Sequence, residues 1–514
     1  MLRDLVDLPL GALLRRAAQR WPDRPALLGA ARAWSWRELD LEVDRAVAVL
    51  SRAGIGRGDA VGVLSNKRPE VVVAFLACAR LGAVYVPVNF KLHPDQVADQ
   101  FAVAAVRAVV LEHEFDGLLK HLLPQLPDPR RIVYLDGAGR HGEGVWEADA
   151  AAVAEVTVHA ESPVYYNYTS GSTGRPKGAI TTHRQINVNA VQTIQGLGFT
   201  ESDVYLGMFS VFAHPHELFH RSLLVGGAFV VAETLNPRVA AELIARYGIT
   251  WTMGVPSFYE MLLDFRTAHG GDYRSLRVLE AGGAYVSPET LVRMEEAFGA
   301  RFLPVWGCTE ATGVGLGMLA DGPRRPGSTG KPIPGYAIRV IGEDGVDVTP
   351  GEVGELWIRG EAVVHGYVNQ PEETTAQFRD GWYQTRDLVR VDEAGFVYFT
   401  GRRSEMLKIG GIRVFPLEIE QVLGQHPDVR AVVVVRAEER LRGEVARAVV
   451  QVVPGSPLDV RKVQAYCRDR MANYKVPRIV EFWAEVPTLP NGKIDKKAVL
   501  ATAPDPGRDD RVRA

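Results

Sequence analysis

Residues 164–178 read Val-Tyr-Tyr-Asn-Tyr-Thr-Ser-Gly-Ser-Thr-Gly-Arg-Pro-Lys-Gly, an apolar segment that runs directly into a loop of glycines, hydroxyls and one lysine. Glycines let the backbone bring N–H groups close to anionic oxygens, while the hydroxyls donate and Lys177 supplies a point charge. The loop therefore predicts a polyphosphate site, with a flexible surface linker as the alternative interpretation. An ordinary P-loop ends in Gly-Lys-[Ser/Thr], but Pro176 and Gly178 flank the lysine here, so a Walker-type NTPase is disfavoured.

Length and composition limit the classes of protein to which the chain can belong. The chain has 514 residues, 46% of them hydrophobic, so we expect two or more domains. Its 59 Lys and Arg against 62 Asp and Glu give a net charge of −3, which provides no field for nucleic acid or an anionic membrane. Cys78, Cys308 and Cys467 are few and far apart, which argues against a disulfide framework or a cysteine zinc site. We expect them to be buried as small hydrophobic side chains.

Export and membrane insertion are disfavoured. Asp4 and Asp7 fall inside what would be the apolar core of a signal peptide. The longest apolar stretch, residues 71–88, contains Arg80 and Gly82, and it predicts a core helix followed by a buried strand. We therefore expect a soluble cytoplasmic protein without a membrane span, and the sequence leaves open whether it is a monomer or a dimer.

Alternating helical and extended patterns predict an α/β fold. The first part shows, in order, a helix ending at Gly54, a strand over 60–64, a helix over 70–81 and a strand over 84–86. The same alternation returns over 249–260 and 278–288, so we expect a large N-terminal α/β domain with several subdomains. Beyond about Gly335, short strands with turn signals predict a β-rich subdomain.

A smaller unit of about a hundred residues follows Gly401-Arg402, a size at which a domain folds alone. Its pattern predicts a helix over 416–423 and a strand over 429–435, which is an α+β arrangement. The expected divisions are a large domain over 1–402, a small C-terminal domain over 403–500, and a disordered tail rich in Pro, Asp and Arg over 501–514.

Several separated motifs carry further chemistry. Trp306-Gly-Cys-Thr-Glu310 follows an apolar strand, where the strand end would present it at the mouth of an open sheet. The aromatic side chain is suited to stacking on a base and Glu310 to holding Mg²⁺; a core Trp with a solvated Glu is the alternative. Asp387 in Tyr383-Gln-Thr-Arg-Asp387 is suited to accepting from ribose hydroxyls. The remaining motifs, each a common loop by itself, are Gly401-Arg402 with Lys408, Gly410 and Gly411, and Leu489-Pro-Asn-Gly-Lys493.

Together and in this order, the motifs resemble the adenylate-forming superfamily of acyl-CoA synthetases (AMP-dependent synthetases and ligases), nonribosomal peptide adenylation domains and firefly-type luciferases. The resemblance spans nearly the whole chain and also rests on Gly82-Ala-Val-Tyr-Val-Pro-Val-Asn89, Gly282-Gly-Ala284, Gly354-Glu-Leu-Trp357 and Gly411-Ile-Arg-Val-Phe-Pro-Leu-Glu-Ile-Glu420. It implies that a carboxylate attacks the α-phosphate of ATP to give an acyl-adenylate and pyrophosphate. The thiol of CoA then displaces AMP and forms the thioester.

The resemblance also implies roles for individual residues. ATP binding is implied for the phosphate loop (Thr169, Ser170, Gly171, Ser172, Thr173, Gly174 and Lys177), for the adenine segments (Gly282, Gly283, Trp306 and Gly307) and for the ribose ligands (Asp387 and Arg402). The catalytic residues implied are Lys177, Thr309 at the α-phosphate, Glu310 as the Mg²⁺ ligand, and Lys493, which would bridge carboxylate and phosphate oxygens in the first step only.

The small domain of this family rotates between the half-reactions, so that Lys493 leaves the site and Gly411 faces a tunnel for the thiol of CoA. We expect that tunnel to be too narrow for a Cβ, with a plain turn as the alternative interpretation of Gly411. Arg386 replaces the glycine of the family's Thr-Gly-Asp, and Ser404 stands where the family commonly has an Asp or Lys hinge. These two departures bear on nucleotide binding and on the thioester step, although Arg386 near the phosphates would assist.

The segment Phe209-Ser-Val-Phe-Ala-His-Pro-His-Glu217 replaces the Leu-Phe-His-like element of many acyl-CoA synthetases. We expect the acyl pocket to be lined by Phe212, Ala213 and His214, with Gly282 and Ala284 opposite. Small side chains there leave room for a ring or a branched acid. The pair His214 and His216 suggests a metal site, but without a third ligand we favour pocket-lining or hydrogen-bonded histidines.

We therefore predict an AMP-forming acid:CoA ligase for an aromatic, alicyclic or medium-sized acid of fatty acid or secondary metabolism. One alternative is an enzyme that only adenylates and passes acyl-AMP to a carrier protein or a separate thioester-forming enzyme. An amino-acid adenylation domain is disfavoured because the pocket segments show no acid for the substrate ammonium, and luciferase-like oxygenation stays open. A non-catalytic acyl- or nucleotide-binding protein is disfavoured by the presence of Lys493 and Glu310.

Overall fold

The computed structural model describes residues 2–126, 128, 131–137, 143–144, 156–170, 176–439, 443–489, 494–505 and 508–510. The helices of these ranges are α1 (Leu10–Arg20), α2 (Trp36–Arg52), α3 (Pro69–Leu81), α4 (Pro94–Ala104), α5 (Asp116–Leu122), α6 (His183–Leu197), α7 (His220–Val225), α8 (Pro237–Tyr247), α9 (Pro256–His269), α10 (Pro288–Phe298), α11 (Pro371–Gln377), α12 (Pro416–Gly424), α13 (Val460–Arg468) and α14 (Lys496–Ala501).

The strands are β1 (Pro25–Leu28), β2 (Ala33–Ser35), β3 (Ala60–Leu64), β4 (Val84–Pro87), β5 (Val106–Leu111), β6 (Ile132–Tyr134), β7 (Glu143–Gly144), β8 (Pro163–Ser170), β9 (Pro176–Thr182), β10 (Val204–Met208), β11 (Ala228–Val230), β12 (Trp251–Gly254), β13 (Val278–Ala281), β14 (Arg301–Cys308), β15 (Gly313–Gly317), β16 (Lys331–Pro332), β17 (Tyr336–Ile341), β18 (Val353–Gly360), β19 (Phe378–Arg379), β20 (Trp382–Val391), β21 (Val397–Arg402), β22 (Leu407–Ile409), β23 (Ile412–Val414), β24 (Val429–Glu439), β25 (Gly443–Val452) and β26 (Ile479–Phe482).

Two mainly parallel sheets form the large domain. Their strand orders are β7-β6-β5-β3-β4-β8-β9 and β16-β15-β14-β13-β12-β10-β11-β1-β2. The strands β3 to β8 run parallel, as do β1 and β10 to β14. Antiparallel strands form the other edge of the first sheet, β9, and both edges of the second. The predicted strand over 60–64 and helix over 70–81 are confirmed as β3 and α3, and so is the α/β class.

Helix α3 lies between the two sheets and is buried on nearly every side. The ring of Phe75 contacts Tyr85 and Tyr165 of the first sheet at centroid distances of 4.9 and 5.9 Å. The same ring contacts Phe219, which precedes α7, at 5.5 Å. Residues 71–88 are thus a core helix and a buried strand, as predicted. No helix in the described ranges combines the length and the apolar character that crossing a bilayer requires.

The predicted β-rich subdomain is a five-stranded antiparallel sheet of β17, β18, β19, β20 and β21. Strands then change sheet between Arg402 and Leu407, where the sequence predicted the hinge. The small domain that follows contains a hairpin of β22 and β23, a sheet of β24, β25 and β26, and a core of its own that includes Ile419, Val463 and Phe482. It has the α+β composition that the sequence predicted.

The C-terminal tail differs from its prediction. We expected disorder over 501–514, but Asp509 pairs with Phe482 at the end of β26. The Phe482 N–H donates to the Arg508 carbonyl at 3.1 Å, and the Asp510 N–H donates to the Phe482 carbonyl at 2.9 Å. Pairing at a sheet edge depends on backbone groups rather than side chains, so composition alone could not indicate it.

The three cysteines are free thiols. Cys78 on α3 and Cys467 on α13 are buried, as predicted, and burial raises the pKa of Cys78 to about 12. Cys308 is only partly buried, because it is the last residue of β14, at the carboxyl end of the strand that leads into the candidate site.

A buried ion pair connects α7 to the second sheet. The Arg221 guanidinium donates to both carboxylate oxygens of Glu280 on β13, at 2.6 and 3.0 Å. The indole N–H of Trp251 on β12 donates to the same carboxylate at 2.8 Å. Arg221 is 4% exposed and Glu280 is fully buried, so neither charge has water as a substitute partner.

We predict that Arg221→Met lowers the free energy of unfolding of the large domain by about 3–5 kcal/mol, because Glu280 is left as an unpaired buried charge. Urea denaturation followed by tryptophan fluorescence measures the change. Arg238→Met is the matched control, since Arg238 and Glu242 form an exposed pair at 3.8 Å and their loss should cost at most about 1 kcal/mol. Equal effects of the two substitutions would contradict the role of the buried pair.

Candidate active site

The two ends of the phosphate-loop sequence lie on antiparallel strands, β8 and β9, which we call the phosphate hairpin. Thr169 and Ser170 end β8 and pair with Lys177 and Pro176 at the start of β9. Residues 171–175, which include the predicted ligands Gly171, Ser172, Thr173 and Gly174, lie outside the described ranges. Lys177 itself lies on a strand, β9, whereas the lysine of a P-loop begins a helix, in agreement with the sequence neighbours of Lys177.

Glycine is required at position 178 by close packing. A Cβ there would lie 2.8 Å from the ring carbon Cζ of Tyr168 and 2.8 Å from Cγ1 of Val368. The Val368 N–H donates to the Gly178 carbonyl at 2.8 Å, so residues 366–368 run alongside β9. This contact brings the segment before α11 against the strand that carries Lys177.

Lys177 is buried and pairs with a carboxylate that the sequence did not reveal. Its Nζ contacts the Glu373 carboxylate on α11 and lies 5.6 Å from the ring centroid of Tyr367. The hydrogen bond from Lys177 holds the pKa of Glu373 below its ordinary value, with smaller contributions that include the charge of Arg386. Two cations therefore surround one carboxylate at the base of the hairpin.

Thr309 and Glu310 lie next to this hairpin, in a short 3₁₀ turn after β14, and both are buried. The Glu310 carboxylate accepts from the Tyr367 hydroxyl at 2.6 Å. In the described ranges, no three His, Cys, Asp or Glu side chains are grouped to hold a metal. Because Mg²⁺ commonly binds one or two carboxylates together with substrate phosphates, Glu310 beside a phosphate loop fits a substrate-dependent Mg²⁺ site.

Asn167 on β8 connects three of the predicted motifs, and the sequence analysis missed it. Its amide nitrogen donates to the Ala213 carbonyl at 2.7 Å and to the Thr309 hydroxyl at 3.4 Å. The side chain is 1% exposed. The acyl segment, which we define as residues 209–214, thus meets the phosphate hairpin and the Thr309 turn at one residue. Only the position of Asn167, two residues before the loop, pointed to it.

The predicted ribose ligand Asp387 is held from two sides. The Trp306 indole N–H donates to its Oδ2 at 2.8 Å, and the Arg402 guanidinium lies 3.2 Å from its Oδ1. Trp306 is 8% exposed and belongs to the hydrophobic core, so its indole orients the carboxylate more than it presents a face for stacking. Its neighbour Gly307 is exposed.

Arg386 occupies the family's glycine position with a left-handed backbone, at φ +61°. Its N–H donates to Glu355 Oε1 at 3.2 Å, while Arg403 donates to Oε2 of the same carboxylate at 3.1 Å. Glycine is ordinarily favoured at such a φ, which accounts for the usual residue at this position. The charge of Arg386 makes a minor contribution to the lowered pKa of Glu373, after the hydrogen bond and the charge of Lys177.

The predicted pocket residues lie at the carboxyl ends of strands. Phe212, Ala213 and His214 are partly buried, and the Phe212 ring meets Phe90 edge-on at a centroid distance of 6.0 Å. On the opposite side Gly282 is partly buried, whereas Gly283 and Ala284 are exposed. The two groups follow β10 and β13 of the second sheet, and Phe90 follows β4 of the first sheet, which is where a ligand is expected at the carboxyl ends of parallel strands.

His216 is a hydrogen-bonded core residue. Its Nε2 lies 3.1 Å from the Thr312 carbonyl and so donates, and its Nδ1 lies 3.0 Å from the Tyr165 hydroxyl. Burial holds the pKa of His216 well below its ordinary value, so the ring is neutral and Nδ1 accepts. Both ring nitrogens are therefore engaged, which agrees with the interpretation favoured over a metal ligand.

Gly411 lies in a tight turn. Gly410 and Gly411 connect β22 to β23 with φ values of +59° and +83°, and a two-residue hairpin turn of this kind requires positive φ at both positions. A Cβ on Gly411 would meet no atom within 4 Å. We expected a channel too narrow for a Cβ, but in this arrangement of the domains the turn alone explains the glycine.

The hinge and the C-terminal lysine complete the predicted set. Ser404 is exposed within the turn in which the Glu405 N–H donates to the Arg402 carbonyl at 2.9 Å. Lys493 lies outside the described ranges. The small domain contacts the large one through exposed pairs, Arg413 with Glu343 and Arg430 with Asp264. Such pairs are weak, which fits an interface that rearranges.

Comparisons with known proteins agree with this arrangement. The AMP-binding enzyme family matches residues 14–368, and the AMP-binding enzyme C-terminal domain matches residues 418–493. An indoleacetate–CoA ligase of Aromatoleum aromaticum is 31% identical over 97% of this chain and 97% of its own. A feruloyl-CoA synthase of Amycolatopsis sp is 33% identical over 95% of this chain and 98% of its own. The crystal structure of an anthranilate CoA ligase with anthranoyl-AMP superposes with a TM-score of 0.90, at 26% identity and 98% coverage of both chains.

We predict that Glu373→Gln lowers the KM for ATP roughly two- to fivefold, because the carboxylate competes with phosphate oxygens for Lys177. Initial rates of pyrophosphate release at varied ATP concentration measure the change. Glu372→Gln is the control, since Glu372 is the exposed neighbour on the same helix. A KM that is unchanged or raised in the Glu373 variant alone would contradict the competition.

Proposed function

The chain belongs to the AMP-binding enzyme family, and we propose that it is an acid:CoA ligase that works through an acyl-adenylate. A carboxylic acid and ATP give acyl-AMP and pyrophosphate, and CoA then gives the acyl-CoA thioester and AMP. The observation that carries this proposal is the Asn167 contact with both Ala213 and Thr309, which brings the acyl segment against the predicted α-phosphate residue. A bound acid and the α-phosphate would thereby be placed side by side, which removes much of the entropic part of the barrier.

In the first step the substrate carboxylate attacks the α-phosphorus, and pyrophosphate leaves. We assign Lys177 and the hairpin tip to the β and γ phosphates, Thr309 to the α-phosphate, and Lys493 to the oxygens of both reactants. Phosphoryl transfer between anions depends on positioning and on charge neutralisation, and buried cations supply the latter most strongly. We assign the 2′ and 3′ hydroxyls of the ribose to Asp387, which Trp306 and Arg402 hold in place.

Glu310 is the residue that would hold Mg²⁺, with its carboxylate already oriented by the Tyr367 hydroxyl. The ion would neutralise charge on the phosphate oxygens when ATP is bound. Trp306, Gly282 and Gly283 remain our candidates for the adenine-binding segment, and Phe212, Ala213, His214 and Ala284 for the acyl pocket.

In the second step the thiol sulfur of CoA attacks the acyl carbon, and AMP leaves with the carboxylate oxygen that joined it to the acyl group. We propose that the small domain turns at Ser404, so that Lys493 withdraws and the Gly410-Gly411 hairpin approaches the site. The exposed ion pairs between the domains support this motion, because they cost little to exchange. An adenylating enzyme that serves a carrier protein or partner enzyme is the second candidate, favoured by Arg386 in place of glycine.

The proposal is tested by measuring AMP, pyrophosphate and thioester with a panel of aromatic, alicyclic and medium-chain acids under Mg-ATP, with and without CoA. Acid-dependent pyrophosphate together with acyl-CoA establishes the ligase. Pyrophosphate with retained acyl-AMP and no thioester establishes the adenylation-only alternative. Binding of acid or nucleotide with neither product would instead indicate a non-catalytic protein.

We predict that Lys493→Ala reduces adenylate formation about 100-fold or more, because an electrostatic contact to the reacting oxygens is lost. The same variant should convert supplied acyl-AMP and CoA to thioester at the wild-type rate. Lys497→Ala is the control, since Lys497 is exposed four residues later. Loss of both half-reactions in the Lys493 variant would remove the assigned role.

A further inference from the structure

Lys67 is a buried lysine next to the acyl segment. It follows β3 at the carboxyl end of the first sheet and is 7% exposed. Its Nζ donates to the carbonyl of Gly207 on β10, in the second sheet, and lies 5.8 Å from the ring centroid of Phe209. The side chain therefore crosses from one sheet to the other at the edge where the site residues lie.

The charge of Lys67 has no carboxylate to offset it in the part of the chain that the structure describes. The Glu112 carboxylate contacts the residues on either side of Lys67 in the chain, but it already has three hydrogen-bond donors. They are the Ser65 hydroxyl at 2.6 Å, the Asn66 N–H at 2.7 Å and the Arg68 guanidinium at 3.2 Å. Burial without an opposing charge lowers the pKa of Lys67 to about 7.

The other buried cations of the described ranges differ in this respect. Each has a carboxylate partner: Lys177 has Glu373, Arg221 has Glu280, and Arg447 has Glu481. A neutral carbonyl and the face of one ring compensate only part of the cost of burying an ammonium. Buried ionisable groups without an opposing charge occur preferentially at functional sites, where a ligand supplies that charge.

The position of Lys67 relative to the reacting groups is defined by the acyl segment. Ala213, near its end, meets Asn167 and through it Thr309, at the phosphate side. Phe209, at its start, and Gly207, two residues before it on β10, contact Lys67. An acid that presents one carboxylate to Thr309 and extends along this segment would direct its far end towards the ammonium.

We propose that Lys67 binds a second carboxylate of the substrate, so that the preferred substrates are dicarboxylic acids adenylated at the end distal to Lys67. This inference rests on the proposed function. A substrate carboxylate would supply the missing counter-charge in a site from which water is largely excluded, where a charge-assisted hydrogen bond is strong. A site built around such a bond also rejects analogues that lack the group, because the lysine is then left unpaired.

The test compares matched acids that differ only in the second carboxylate: hexanoate with adipate, benzoate with terephthalate, and the dicarboxylates from malonate to suberate. We expect the wild-type kcat/KM for pyrophosphate release to be at least tenfold higher for the best diacid than for its monocarboxylic match. Lys67→Met should remove this preference by raising the KM of the diacid at least tenfold, while monocarboxylate rates change less than twofold. Lys91→Met, an exposed lysine beyond β4, is the control and should change neither.

Three results overturn the inference. If the wild-type enzyme prefers monocarboxylic acids, a substrate carboxylate is not the counter-charge of Lys67. If Lys67→Met loses activity equally with both classes of acid, Lys67 only connects the two sheets. Thermal unfolding of this variant, compared with the charge-retaining Lys67→Arg, separates a folding defect from a lost contact with the substrate. If the wild-type enzyme activates no acid of either class, the proposed function itself is refuted. This outcome differs from failure of the Lys67 inference alone, because hexanoate and benzoate are then not activated either.

Discussion

The buried ion pair of Arg221 and Glu280 is the constraint on which the arrangement of the site depends. Arg221 lies on α7, soon after the acyl segment, and Glu280 lies on β13, two residues before Gly282. Because an unpaired charge in this position is so costly, the segment proposed for the acid and the segment proposed for the nucleotide are fixed to one another. Trp251 on β12 adds a third element to the same point.

Outside this anchor, the site is assembled by a few polar contacts between distant parts of the chain. Asn167 links the phosphate hairpin to the acyl segment and to Thr309, and Trp306 links the second sheet to Asp387 of the β-rich subdomain. Each link ends on a group that an acyl-adenylate would approach. The reaction is thus served by residues whose own hydrogen bonds hold them in place before substrate arrives, which is the arrangement that electrostatic catalysis needs.

Local patterns predicted the fold well where hydrophobic periodicity and motif order are strong. The helix over 70–81 and the strand over 60–64 appear almost unchanged, because an apolar run between turn signals leaves few alternatives. The sequence did not allow contacts between residues far apart in the chain to be predicted. Glu373, for example, contacts Lys177 although 196 positions separate the two residues. Backbone conformation was equally hidden, since the positive φ of Arg386 and the open surroundings of Gly411 depend on tertiary context.

Oxygen-isotope transfer tests the central claim most directly. If the acid's carboxylate attacks the α-phosphorus, one of its two oxygens stays on AMP after the thiol displaces it. The reaction is run with an ¹⁸O-labelled carboxylic acid, ATP and CoA, and the nucleotide product is examined by mass spectrometry. The account predicts AMP that carries one ¹⁸O atom from the acid and pyrophosphate without label. Label in inorganic phosphate together with ADP, or thioester formed with unlabelled AMP, would contradict an acyl-adenylate intermediate.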